Sequence, residues 1–99
     1  MKTAKNIESI LKKNKRDLFN KFPLIEIGLF GSFIKGENND DSDLDILIEY
    51  DRNKIFSLID FIKLQTYLSN LLKINVDLAL KSQLKTGIGH YILKEVRYI

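Results

Sequence analysis

Asp43 and Asp45 stand on alternate positions at the start of an apolar run, Leu44, Ile46 and Ile48, that alternates as a strand does. On a strand, side chains at i and i+2 share a face, so the two carboxylates point the same way. Like charges held that close repel unless a cation sits between them. A short polar stretch upstream, Gly31-Ser32-Phe33-Ile34-Lys35-Gly36 ends a first apolar run. Its opening residues carry no bulky side chain, so backbone N–H groups and the Ser32 hydroxyl can approach an anion. A metal pair beside an anion-binding turn is an arrangement for holding a cation against a phosphate. Asp77 lies in a later alternating run, Ile74, Val76, Leu78 and Leu80, on its polar side. Spacing alone does not fix strand order; were that strand to lie beside the second, the three carboxylates could bind two divalent ions about 3.5–4 Å apart, the clamp used for in-line phosphoryl transfer.

Two other motifs fail on chemistry. Gly31 and Gly36 have a P-loop's spacing, but Glu37 and Asn38 follow where Lys and Ser/Thr are needed. Asp41-x-Asp43-x-Asp45 begins like a calcium loop, yet Ile46 replaces the turn glycine and Arg52 the closing acid. What remains, GSFIKGENNDDSDLDILI, resembles the signature of the nucleotidyltransferase superfamily of DNA polymerase beta. The closest type is the minimal nucleotidyltransferase domain that acts as antitoxin beside HEPN-domain ribonuclease toxins. The resemblance extends over nearly the whole chain, because Val76-Asp77-Leu78 fits the family's third-carboxylate strand. Lys35 departs from it, standing where many relatives carry arginine; it keeps the charge and loses the bidentate fork.

The resemblance implies an α+β fold, a small mixed β-sheet with helices packed on it, in a single domain over residues 1–99. It implies transfer of AMP from ATP to a hydroxyl, a tyrosine of the partner toxin, with two Mg2+ ions. Asp43 and Asp45 would hold both ions, and Asp77 the ion nearest the attacking hydroxyl. Gly31, Ser32, Lys35 and Ser42 would contact the nucleotide, although Ser42 also suits a structural bond within its loop. Two rivals stay open: a catalytically weak domain that neutralises its toxin by contact, and a small-molecule nucleotidyltransferase of the aminoglycoside type.

Ninety-nine residues allow a modest core and no separate substrate domain. The net charge of +3 hides an asymmetry. Of 16 basic residues, seven (Lys2, Lys5, Lys12, Lys13, Lys15, Arg16, Lys21) precede Phe22. Of 13 acids, seven (Glu37, Asp40, Asp41, Asp43, Asp45, Glu49, Asp51) fall in one 15-residue stretch. The basic helix reads as a solvated face, and the acidic stretch argues against direct nucleic-acid binding there. Without cysteine there is no disulfide framework or thiolate site, and one histidine, His90, makes zinc a poor fit. The charged N-terminus is unlike a signal peptide and no stretch suits a bilayer, which makes a cytoplasmic protein the expectation.

The elements that must position the acids follow from periodicity. Ile7, Ile10, Leu11, Leu18, Phe19 and Phe22 mark one helical face over residues 4–22, with Thr3 as cap and Pro23 as stop. A strand over 24–30 reaches Gly31, and Ser32 to Lys35 suits a single helical turn. Residues 36–41 read as a loop and 51–54 as a turn. A second long helix is expected over 55–72, a helix over 88–95 between glycine-rich approaches, and a short terminal strand over 96–99. The resulting order is α-β-α-β-α-β-α. Glu49, on the acids' side of its strand, is read as a salt-bridged strand end.

Overall fold

Thr3 opens the first helix, α1 (Ala4–Lys21), by accepting the Asn6 amide at 3.2 Å while the Asn6 side chain accepts the Thr3 amide at 3.3 Å. Two of the donors that a helix start leaves bare are thereby satisfied. The computed structural model describes residues 3–39, 41–84 and 93–99. In chain order these hold α1, β1 (Leu24–Phe30), α2 (Ser32–Lys35), β2 (Leu44–Tyr50), α3 (Leu58–Leu72), β3 (Val76–Leu80), a 3-10 turn (Lys81–Leu84) and β4 (Arg97–Tyr98). Residues 93–95 are helical, and the rest of the helix expected over 88–95, with His90 and Tyr91, lies outside the described residues.

The four strands form one mixed sheet in the order β3-β2-β1-β4. β1 runs antiparallel to both β2 and β4, whereas β2 and β3 are parallel. One sheet face is apolar: Ile27, Leu29, Leu44, Ile46, Ile48, Val76 and Leu78 are buried with Ile7, Leu11 and Leu18 of α1 and Leu64, Leu68 and Leu72 of α3. The other face carries Asp45, Asp77 and Glu26, and the 3-10 turn packs against β2 and β3.

α3 starts later than its apolar pattern suggests. Ser57 caps it, its hydroxyl accepting the Asp60 amide at 3.2 Å while Asp60 accepts the Ser57 amide at 2.9 Å. Ile55 and Phe56 therefore precede the helix. Leu58, Ile59 and Ile62 belong to the same apolar series as Leu68 and Leu72, and the structure divides them. Ile55 is 90% exposed, Leu58 75%, Ile59 65% and Ile62 56%. The helix is apolar on more than one side, so periodicity alone could not choose which side the sheet would cover.

The C-terminus is tied back to the sheet. The Ile99 amide donates to the Ile27 carbonyl at 2.9 Å, Lys15 Nζ donates to the Ile99 carbonyl at 3.0 Å, and Arg97 pairs with Glu8 at 3.1 Å. Lys81 pairs with Glu26 at 2.9 Å and lies over the Tyr98 ring. Gly28 permits this return, because a Cβ there would stand 2.5 Å from Val96 Cγ1 and 3.2 Å from Tyr98 Cδ1. Gly28→Ala should therefore cost about 1–3 kcal/mol through overpacking. Amide exchange at Ile99 should accelerate more than at Ile46, and equal protection of both amides in wild type and variant would refute this account of Gly28.

Candidate active site

The site is built where the C-terminal end of β1 meets the N-terminal ends of β2 and β3. β1 stops at Gly31, whose φ of 80° and ψ of −152° lie in a region essentially restricted to glycine. A Cβ there would overlap the Asp45 carboxylate. The Gly31 backbone thus lies directly against that carboxylate. The Gly31 carbonyl accepts the Ile34 and Lys35 amides at 3.1 and 3.2 Å, closing the single turn α2. The first amides of a helical turn have no partner in its own ladder, so Ser32 and Phe33 present theirs at its open end. Gly36, left-handed with φ 72°, ends the turn.

Asp45 is the second residue of β2 and Asp77 the second of β3, and they are Cα partners across the parallel pair. Partners in such a pair share a sheet face, so both carboxylates project from the face opposite the core. Asp43 is exposed two positions before Asp45. Burial, with repulsion from Asp77 and then Asp43, pushes the Asp45 carboxyl up to about 6. All three acids therefore act on one small volume. Among the described residues, no three histidine, cysteine or carboxylate side chains are already gathered tightly enough to hold a metal ion by themselves. The donor set nonetheless suits magnesium, which takes one or two carboxylates and completes its shell with water and substrate phosphate.

Ser42 is occupied locally. Its hydroxyl accepts the Asn39 amide at 2.9 Å, and its own amide donates to the Asn39 carbonyl at 3.1 Å. These bonds shape the loop before β2. Lys35 lies beside the turn but pairs with Glu95 at 3.6 Å, a contact between groups about half exposed. Glu49 pairs with Arg52 at 3.0 Å, as a strand-end acid.

Sequence reasoning missed three neighbours. Asn70 and Lys73 at the end of α3, and Asn75 just before β3, line a polar cleft of about 490 Å3 whose other wall includes Ser42 and Asp43. Lys73 is the left-handed cap of α3, with φ 55° and ψ 41°. The Asn75 carbonyl accepts the Leu44 amide at 2.8 Å, fixing the two strand starts together. The one available signal was the polar Lys73-Ile74-Asn75 turn leading into the Asp77 strand.

Residues 7–99 match the family model described as nucleotidyltransferase domain. A protein adenylyltransferase of Thermococcus cleftensis, MntA, is 48% identical over 99 residues, covering 100% of this chain and 98% of its own. A solved minimal nucleotidyltransferase superposes with a TM-score of 0.72 at 26% identity, covering 92% of this chain and 93% of that one. A Shewanella oneidensis complex of a tri-AMPylated HEPN toxin with its MNT antitoxin has a chain of the same fold, with TM-score 0.58, 21% identity, and coverage of 93% and 67%. On the match over residues 7–99 and the identity to the Thermococcus protein, the chain belongs to the nucleotidyltransferase domain family.

Proposed function

We propose that this chain transfers AMP from ATP to a tyrosine hydroxyl of a HEPN-domain ribonuclease toxin, which is thereby silenced, and that it does so in the cytoplasm, where ATP and magnesium are present. The observation that carries this reading is the pairing of Asp45 with Asp77 across β2 and β3, against the Gly31 turn. The Thermococcus relative's activity and the AMPylated toxin in the Shewanella complex support the choice of AMP and of a protein acceptor. So does the apolar surface formed by Ile55, Leu58, Ile59 and Ile62, which a protein contact would remove from water. The acidic site face favours a protein hydroxyl over direct contact with RNA.

Asp43, Asp45 and Asp77 would hold two Mg2+ ions, which when bound neutralise phosphate charge and polarise the α-phosphate. The chain's own groups do the positioning. The Ser32 hydroxyl and the open amides of α2 bind the terminal phosphates and fix the leaving group on the β1 side. The tyrosine oxygen attacks the α-phosphorus, the bond from that phosphorus to the β-phosphate breaks, and pyrophosphate leaves. Asp77, on the opposite side of Asp45 from α2, accepts the phenolic proton. Asp45 stands between them and must be ionised to serve.

The direct experiment incubates chain, toxin, magnesium and α-labelled ATP. Label should appear on the toxin, and an Asp43→Asn, Asp45→Asn double variant should label it at least about a hundredfold more slowly. If that variant still protects RNA from the toxin as well as wild type does, contact suffices and adenylylation is not the physiological mechanism.

Asp45 also makes stability depend on pH. Its carboxyl is raised from 3.8 in the unfolded chain to about 6 in the folded one. The stability it contributes is complete below about pH 3.8 and is lost as pH rises through about 6. Asp45→Asn should therefore raise the thermal midpoint at pH 8 and lose that advantage toward pH 4. Millimolar Mg2+ at pH 8 should stabilise wild type more than the variant. A gain that is the same at pH 4 and pH 8 would show that the carboxylate is not under charge strain.

A further inference from the structure

We propose that the free edge of β3 is where the toxin segment docks, adding to the sheet as a further strand that brings its tyrosine hydroxyl to Asp77. The inference rests on the adenylyl-transfer reading above and adds to it how the protein substrate is held.

In-line displacement places the attacking and leaving oxygens on opposite sides of the phosphorus. On that reading the pyrophosphate leaves on the β1 side of Asp45, at the Gly31 and Ser32 turn. The nucleophile then comes from the β3 side, and among the described residues β3 is the last strand in that direction. An acceptor that reaches the exposed Asp77 from there crosses the β3 edge.

That edge carries the main-chain groups for pairing. The Leu44 amide donates to the Asn75 carbonyl, and main-chain groups alternate in direction along a strand. Asn75, Asp77 and Ala79 therefore turn theirs toward β2, and Val76, Leu78 and Leu80 turn theirs outward. The Val76 amide agrees, donating to the Ser69 hydroxyl of α3 at 3.2 Å and not to β2. β3 runs five residues in regular register without proline, lysine or bulge, the devices that commonly close an edge. The opposite edge is blunted, since β4 has only two residues and one of them is Arg97.

An extended segment added antiparallel exchanges both main-chain bonds with Leu78. Its residues opposite Asp77 and Ala79 then form the pairs without mutual hydrogen bonds, their side chains on the acids' face. Ala79 is small and stands two residues beyond Asp77 on that face. A tyrosine opposite Ala79 has room for its ring. Its hydroxyl reaches the Asp77 carboxylate along the diagonal, a span of about 7–8 Å that aromatic and other long side chains cover. A serine hydroxyl there falls short. The matching ligand is an extended polypeptide segment presenting tyrosine.

The test follows amide exchange residue by residue in this chain, with and without toxin, in a non-hydrolysable ATP analogue. Toxin should slow exchange at Leu78 and Leu80 at least about tenfold more than at Asp77 and Ala79, which already bond to β2. Equal changes at all four amides, or none, overturn the proposal. Transfer of labelled AMP is the second readout. Ala79→Leu, which fills the ring's place, should raise KM for the toxin about tenfold or more. An unchanged KM overturns that placement, as does weakened binding of the ATP analogue, which would assign Ala79 to the nucleotide. A toxin with serine for its acceptor tyrosine should take no label at that position; a labelled serine refutes the diagonal reach. Protection at Leu78 and Leu80 with no AMP transferred by wild type would overturn the chemistry and leave the docking edge standing. Normal transfer with those amides indifferent to toxin would do the reverse.

Discussion

Two like charges facing each other across a parallel strand pair are the constraint around which this fold is arranged. Asp45 and Asp77 occupy matched positions in β2 and β3, so no twist of the sheet separates them. Parallel pairing requires a crossover, and α3 supplies it. Its 15 residues extend about 22 Å at 1.5 Å each, close to the roughly 23 Å covered by a seven-residue strand. The chain therefore returns to the end of the sheet where β2 began, and the second residue of each strand comes level. An antiparallel return would have brought a carboxylate at the start of β3 to the far end of β2.

The remaining features at that end intensify the repulsion or leave room for whatever relieves it. Burial already raises the Asp45 carboxyl, and the Gly31 backbone closes one side of it. Any residue with a Cβ at Gly31 would meet both the forbidden backbone region and the carboxylate. Nothing in the core requires this. The main core lies on the other sheet face and is wholly aliphatic apart from Phe33, Leu47 alone of β2 being fully buried on the acids' face, with no buried polar group among the described residues. Stability and chemistry are thus divided between two faces of one sheet, which lets the site remain electrostatically strained without cutting into the packing.

How much of this could be read from the letters depended on the range of the interaction. Thr3 as cap, β1 ending at Gly31, the single turn α2 and the alternation of β2 are set by neighbours within a few residues, and each was legible. The shared face of Asp43 and Asp45 follows from strand period alone. The level pairing of Asp45 with Asp77 does not, because it depends on how far α3 carries the chain; the family resemblance, not the spacing, pointed to Asp77. The spacing of Ile59 and Ile62 fits a helix, yet spacing is indifferent to which apolar face meets the sheet. Lys35–Glu95 and Gly28–Val96 join positions 60 or more residues apart, and no local pattern encodes them.

That long-range return gives the C-terminal segment a bearing on the site. β4 pairs with β1 through Gly28 and Leu29, one strand away from Asp45, and Glu95 just before it reaches Lys35 at the end of α2. An ion pair this exposed contributes about 0–1 kcal/mol, too little to withhold a lysine from a polyphosphate carrying several negative charges. Lys35 is therefore held near the Gly31–Ser32 turn by a weak contact. An arginine at this position would bind Glu95 through a planar fork and give it up less readily. The lysine that departs from the usual family pattern is thus matched to the acid that the C-terminal strand brings to it. The two are best understood as one local arrangement, and on the proposed reading the Ser32 hydroxyl and the open amides of α2 would be the fixed phosphate donors.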